Sequence, residues 1–339
     1  MPAGTNQAKV KNDIFRVITD KMREIAIGLL EYPDAMMSAV LGLADMFHLA
    51  NRISSQYPQA SLPDFSISHW RADGSQVEPD IASSTQRVVP LDVLIVPPSM
   101  GGTYYQAPDL VLVDWLNTRH AGGTIVCSAC AGAFILAATG LLDGRRATTH
   151  WDLSARFAKC FPRVHLDTDS VLINDGDIVT AGGLMSWMDL GLDLVGQFTR
   201  PGVMIELGKF LVIDTGRREQ RYYKKFTPPL SHGSVSVIKA QHYIQQHFHT
   251  ALTVRLLAEH CHQGERTLLR KFVSATGYNP AEYIQNVRIQ KARELIETTH
   301  FAIETVASRV GYEDAGAFRK IFKRLTGLSP REFRTRFSA

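Results

Sequence analysis

The sequence has little of what marks a secreted, fibrous or membrane protein. Four cysteines in 339 residues are too few for a disulfide framework and suit a reducing compartment, expected here to be the cytoplasm. Charged residues at 21% and hydrophobic residues at 45% exclude a wholly disordered chain and a coiled coil. Residues 1–23 carry Lys9, Lys11, Arg16 and Lys21 among Asp13 and Asp20 with no long apolar core. They do not read as a signal peptide, and residues 1–22 are expected to be a polar leader. Only residues 121–142 form an uncharged run long enough to cross a bilayer. Gly122, Gly123, Gly132 and Gly140, with Thr124, Cys127, Ser128, Cys130 and Thr139, interrupt it. That pattern predicts a buried strand, a tight turn and a buried helix, and no membrane partner.

Net charge is also scarce, until the chain is divided. The total is +4, but residues 231–339 hold 16 Lys+Arg and 9 Asp+Glu, a net of +7, and the remainder 21 and 24, a net of −3. The asymmetry points to a nucleic-acid-facing C-terminal part.

The length suggests two or more domains. Over the first 200 residues short apolar runs alternate with helical patterns. Strands are expected at 24–30, 93–96, 124–127, 171–173 and 178–180, and helices at 38–51, 109–119, 133–139 and 185–198. Asp175-Gly176 reads as a hairpin turn. Such alternation predicts an α/β domain with a mostly parallel sheet covered on both faces. The pattern breaks near 214–236, where Thr227-Pro-Pro and Ser231-His-Gly-Ser read as connector and the basic, aromatic run 221–226 reads as a docked, solvated linker. The expected divisions are thus a domain at 23–213, a linker at 214–234 and an all-helical domain at 235–339.

The helical part contains a repeat. Phe272, Thr276, Gly277, Pro280 and Glu282 recur fifty residues later as Phe322, Thr326, Gly327, Pro330 and Glu332. Each copy follows an Ala-containing helix, a short turn and a second helix, which makes two helix-turn-helix units. A long helix at 281–298 joins them, with Ile284, Val287, Ala292, Leu295 and Ile296 as its apolar stripe and Arg288, Lys291, Arg293 and Glu294 expected mostly outward. On the second helix of the first unit the outward positions are Glu265, Arg266, Leu269 and Arg270, with Gly264 at its start; in the second unit they are Ala315, Gly316, Arg319 and Lys320. Such helices enter major grooves, where arginine reads guanine in a bidentate manner. Lys271, Lys323, Arg324, Arg331, Arg334 and Arg336 are expected at the phosphates. His260-Cys261-His262 has the wrong spacing for zinc, and no metal is expected.

Residues 235–337, above all Ile303 to Phe322 and Thr326 to Arg334, closely resemble the DNA-binding domain of the AraC family of transcription regulators. The resemblance implies two recognition helices in successive major grooves of double-stranded DNA, and RNA polymerase as a further partner. It departs at Gly264, which lacks a capping side chain, and at Ala315, Gly316 and Ala317, which offer few base-reading groups. Specificity is therefore expected to lean on the first helix.

In the N-terminal part, Cys127-Ser-Ala-Cys130-Ala-Gly132 joins a buried strand to a helix. A residue there sits on a sharp turn at the carboxyl edge of a sheet, as nucleophiles do, and a helix N-terminus stabilises a thiolate. His150 supplies an imidazole. Cys127 ends a buried strand and should point away from that turn, and Cys160 is expected to be partly buried. With residues 33–47, 140–151 and 180–189, the pattern resembles the DJ-1/PfpI group of the class I glutamine amidotransferase-like superfamily, in the branch fused to AraC-type domains. The resemblance implies a flavodoxin-like fold over 24–213, with Cys130 at the nucleophile position and His150 near it. The family's acid corresponds to Ser38, and the opposing loop to Pro98-Ser99, where Pro98 has no N–H for an oxyanion. The expectation is therefore a vestigial nucleophile without catalysis or cofactor. Ser38, Ser99, Cys130, Ala131 and His150 would line a pocket for a small, nitrogenous effector, in a homodimeric regulator. The alternatives are a thiol-dependent hydrolase or a redox sensor using Cys130.

Overall fold

The computed structural model describes residues 24–80, 90–216 and 218–338; the expected leader lies outside them. The chain divides into two compact units, Met1–Gln220 and Arg221–Ala339.

In the first unit, β1 (Glu24–Glu31), β2 (Asp64–Ala72), β3 (Val77–Pro79), β4 (Val93–Val96), β5 (Ile125–Ala129), β8 (Leu172–Asn174) and β9 (Ile178–Ala181) form one sheet in the order β3-β2-β1-β4-β5-β9-β8. The five inner strands run parallel, and β3 and β8 pair antiparallel at the edges. A second, two-stranded sheet joins β6 (Arg146–Ala147) to β7 (His165–Leu166). Successive side chains of a strand face opposite ways, and the core divides accordingly. Ile25, Ile27, Leu29, Ile95, Cys127 and Val179 pack against α1 (Met37–Ser54), α5 (Trp187–Phe198) and α6 (Pro201–Leu211). On the other face, Ala26, Leu30, Leu94, Val96, Val126 and Ile178 pack with α2 (Leu110–Ala121), α3 (Gly132–Ala138) and Phe157 of α4 (Ser154–Cys160). The uncharged run 121–142 resolves into β5, a turn and α3, and no helix of the described residues is long and apolar enough to cross a membrane. Sequence periodicity overlooked β2, β3 and α6. β2 is half-buried along much of its length, so its apolar residues do not stand out against its serines.

The second unit is helical: α7 (Val235–His247), α8 (Val254–His260), α9 (Glu265–Thr276), α10 (Pro280–Thr298), α11 (Ile303–Arg309), α12 (Ala315–Thr326) and α13 (Pro330–Phe337). The fifty-residue repeat is explained by its turns. Gly277 and Gly327 end α9 and α12 in the left-handed region, at φ 76° and 81°, where a Cβ is unfavourable. Asn279 and Ser329 then cap the next helices through capping boxes with Glu282 and Glu332, and Pro280 and Pro330 take the first helical position. Thr276 and Thr326 donate to the carbonyls of Phe272 and Phe322. Apart from the core residues Phe272 and Phe322, the repeated residues are those that stop one helix and start another.

Two expected outward residues are engaged instead, and the first, Arg288, is half-buried and donates to the carbonyls of Phe248 and Thr250 at 2.7 Å. Arg293 is 6% exposed and donates to the carbonyl oxygens of Tyr222 (2.8 Å) and Lys224. The connector folds back over that face of α10, and its aromatic side chains are docked: Phe226 packs edge-on against Tyr283, and Tyr223 against Phe337.

Candidate functional site

Helix-turn-helix geometry requires the second helix of each unit to bury one face and bare the other. Leu268 and Phe272 of α9, and Phe318 and Phe322 of α12, are buried. Glu265, Arg266, Leu269 and Arg270 are exposed, as are Gly316, Arg319 and Lys320, whereas Ala315 is half-buried. Gly264 starts α9 without a side-chain cap, while Asp314 caps α12 by accepting the N–H groups of Gly316 and Ala317. Four of the basic residues expected at DNA are already engaged within the unit, Arg324 with Gln285 at 2.8 Å among them. Arg319 pairs with Glu304 of α11. Arg334, half-buried rather than set out toward phosphate, donates to the carbonyl of Phe301 at 2.6 Å. Arg336 lies over the rings of Tyr222 and Tyr223. Lys271 and Lys323 stay exposed.

In the first unit β5 ends at Ala129 and α3 begins at Gly132, which leaves two residues to reverse the chain. Cys130 takes the turn with φ 54°, a left-handed conformation that costs a non-glycine residue energy. Its N–H donates to the carbonyl of Ala181 at 2.8 Å. A Cβ on Gly132 would lie 2.7 Å from the carbonyl oxygens of Val96 and Pro97, so the turn is pressed against the loop after β4. That loop also accepts the N–H of Met36 at Pro98 (2.7 Å), and Ala35 pairs with Ser99. The starts of α1 and α3 and the end of β4 therefore meet at one sheet edge. Ser99 donates its hydroxyl to the carbonyl of Gly101, and Ser38 is exposed on the first turn of α1. Ala131 is buried beside Cys130.

The turn has a nucleophile's backbone, but its thiol is buried. Cys130 is 5% exposed, and burial pushes its thiol up to about 12, against a small opposing effect of the Ala131 N–H. The thiolate stabilisation expected from the helix terminus is outweighed by desolvation. His150 is half-buried, its pKa depressed by burial, and its Nδ1 accepts the N–H of Asp152 at 3.2 Å. No hydrogen bond joins it to Cys130 among the described residues. The link to the turn comes from its neighbour, since Thr149 donates its hydroxyl to the carbonyl of Cys130 at 2.7 Å. Cys127 and Cys130 belong to core clusters on opposite faces of the sheet, and all four cysteines are free thiols. Cys160 is exposed rather than partly buried, because it closes the outer end of α4.

Two aromatic residues at this edge carried no sequence signal. Tyr32 donates to the carbonyl of Pro97 at 2.7 Å and stacks on Tyr104, with ring centroids 5.8 Å apart. Burial and the nearby Cys130 hold the Tyr32 hydroxyl far above its ordinary value. Their spacing of 72 residues is set by the sheet order, which no local periodicity reports.

The comparisons with known proteins agree with both halves. Residues 257–336 match the helix-turn-helix domain family, and residues 68–197 match the DJ-1/PfpI family. The chain joins a DJ-1/PfpI domain to an AraC-type helix-turn-helix domain. It is similar to the HTH-type transcriptional regulator GbdR of Pseudomonas aeruginosa, at 26% identity over 91% of this chain and 84% of that protein. The HTH-type transcriptional regulator CdhR of the same organism is 27% identical over 66% of each chain. Isonitrile hydratase of Pseudomonas putida is 28% identical over 54% of this chain and 78% of its own length. Relatives that share both domains are thus named as regulators, and one that matches about half of this chain is named as an enzyme.

Proposed function

We propose that this AraC-type protein is a sequence-specific transcription regulator of the cytoplasm, whose DJ-1/PfpI unit senses a small nitrogenous metabolite and does not catalyse. The observation that carries the reading is the pairing of two helix-turn-helix units, their recognition helices bared at Arg266, Arg270 and Lys320, with an elbow whose thiol is buried and lacks a hydrogen-bonded imidazole. A nucleophile needs an adjacent base and oxyanion donors. Here Nδ1 of His150 is occupied, and Pro98 has no N–H. Ser38, Ser99, Cys130, Ala131 and His150 are the proposed effector-contacting residues, and Gly264, Glu265, Arg266, Leu269, Arg270, Ala315, Gly316, Arg319 and Lys320 the proposed DNA-contacting set. The protein acts as a homodimer on paired half-sites, from which it reaches RNA polymerase.

Two measurements on the full chain test this. Selection from random duplexes should return an enriched sequence whose affinity falls steeply with salt. A thermal-shift screen of amino acids, amines and betaines should find at least one stabilising ligand. Hydrolytic turnover abolished by Cys130→Ser would replace the sensor with an enzyme.

A further inference from the structure

Gln220 is 3% exposed, which is unusual for a long polar side chain on a connector. It fills a slot in the first unit. Its Nε2 lies within donor distance of Thr148 Oγ1 (3.0 Å), the Thr149 carbonyl (3.0 Å) and the Ser170 carbonyl (2.9 Å). Its Oε1 accepts the N–H of Trp151 (3.2 Å), and its own N–H donates to Asp169 (2.8 Å). The slot is closed by Gly182, where a Cβ would lie 1.8 Å from Gln220 Nε2. Just before it, one terminal nitrogen of Arg218 donates to both carboxylate oxygens of Asp189 at 2.6 Å.

The loop that Gln220 holds, residues 148–151, is the loop that carries His150 and through Thr149 grips the carbonyl of Cys130. Two positions beyond Gln220, the chain is committed to the second unit, where Arg293 takes the carbonyls of Tyr222 and Lys224. Gln220 is thus bonded to the elbow loop, and Tyr222, two residues on, to the long helix between the helix-turn-helix units.

We propose that Gln220 is the positioning residue that couples the elbow loop to the connector, so that the arrangement of residues 148–151 and the DNA affinity of the second unit are linked. The coupling rests on the regulator reading above. Its physical content is a buried side-chain amide that joins three chain segments at once. A change in the loop breaks or re-forms these bonds together, because a half-satisfied buried amide is costly. Linkage requires the effect to run both ways, so DNA bound to the second unit must alter the loop.

The test uses the full chain and a duplex that the wild-type protein selects from a random library. Hydrogen exchange is followed at Thr148 and Trp151 with and without that duplex. In the wild type, DNA should change these exchange rates threefold or more. Gln220→Ala and Gly182→Ala remove or crowd out the same side chain from opposite sides. Both should still bind the duplex, yet show loop exchange that no longer depends on DNA. A merely structural role would alter the rates without abolishing their dependence on DNA. A wild-type loop indifferent to DNA, or variants that keep the wild-type dependence, would overturn the coupling. Failure of the wild type to select any duplex would instead remove the regulator reading on which it stands.

Discussion

Thr149 donates its hydroxyl to the backbone carbonyl of Cys130 at 2.7 Å, and both groups are buried. This bond fastens the loop of His150 to a turn that holds a non-glycine residue at positive φ. Thr149→Val keeps the shape and removes the donor. The buried carbonyl then keeps only the longer bond from the Ala133 N–H at 3.3 Å, a loss of about 0.5–1.5 kcal/mol. Urea denaturation should show a lower midpoint with an unchanged slope; an unchanged midpoint would mean that the turn is held by its other contacts.

The thiols should separate by reactivity. Cys160 is exposed, while burial holds Cys130 at about 12 against an ordinary value of 9.0. Iodoacetamide at pH 8 should therefore modify Cys160 first and leave Cys130 largely unreacted in the folded protein, as read by peptide mass spectrometry. The sign of the linkage follows. A thiol whose folded pKa is raised favours the folded state fully below pH 9, and that contribution is lost as pH rises from 9 toward 12. Cys130→Ala should flatten the fall in stability over that window.

Base reading should be unequal between the two recognition helices. Arg266 and Arg270 are exposed on α9, whereas α12 begins with Ala315 and Gly316, and its Arg319 is paired with Glu304. Arg266→Ala should cost about 1–3 kcal/mol of binding and change the selected sequence, while Lys320→Ala weakens all sequences alike and lowers the salt slope by about one. Equal effects of the two on the selected sequence would refute the asymmetry.

Arg293→Leu removes a buried donor from the carbonyls of Tyr222 and Lys224. With two acceptors stranded, stability should fall by about 2–4 kcal/mol. The connector should also be cut faster by trypsin after Lys224 or Lys225. Cleavage at the wild-type rate would show that Phe226 and Tyr223 hold it unaided.

Much of this was legible in the sequence where the signal is local. The turn after β5 and the capping pattern around Gly277 and Gly327 depend on neighbours a few residues away, so the residue types announce them. What escaped depends on distant partners. Arg293 reads as surface from helical periodicity because a stripe does not show that a chain 69 residues earlier returns to cover it. Gln220 reads as an ordinary connector residue because its acceptors lie 50 to 72 residues upstream. The pKa of Cys130 inverted for the same reason: a helix start is visible in sequence, but the burial that outweighs it is not. β2 was lost because a half-buried strand lacks a strong period.

The repeated turns have a consequence for the operator. Apart from the buried Phe272 and Phe322, identity between the two helix-turn-helix copies is confined to residues that end and restart helices, such as Gly277 with Gly327 and Glu282 with Glu332. None of the expected groove-facing positions is identical: Glu265 and Arg266 stand against Ala315 and Gly316, and only the charge of Arg270 recurs, as Lys320. One backbone frame is thus used to present two unrelated alphabets. The stretch of DNA covered by a single chain should then contain no internal repeat, and any symmetry in a selected site must come from a second copy of the protein.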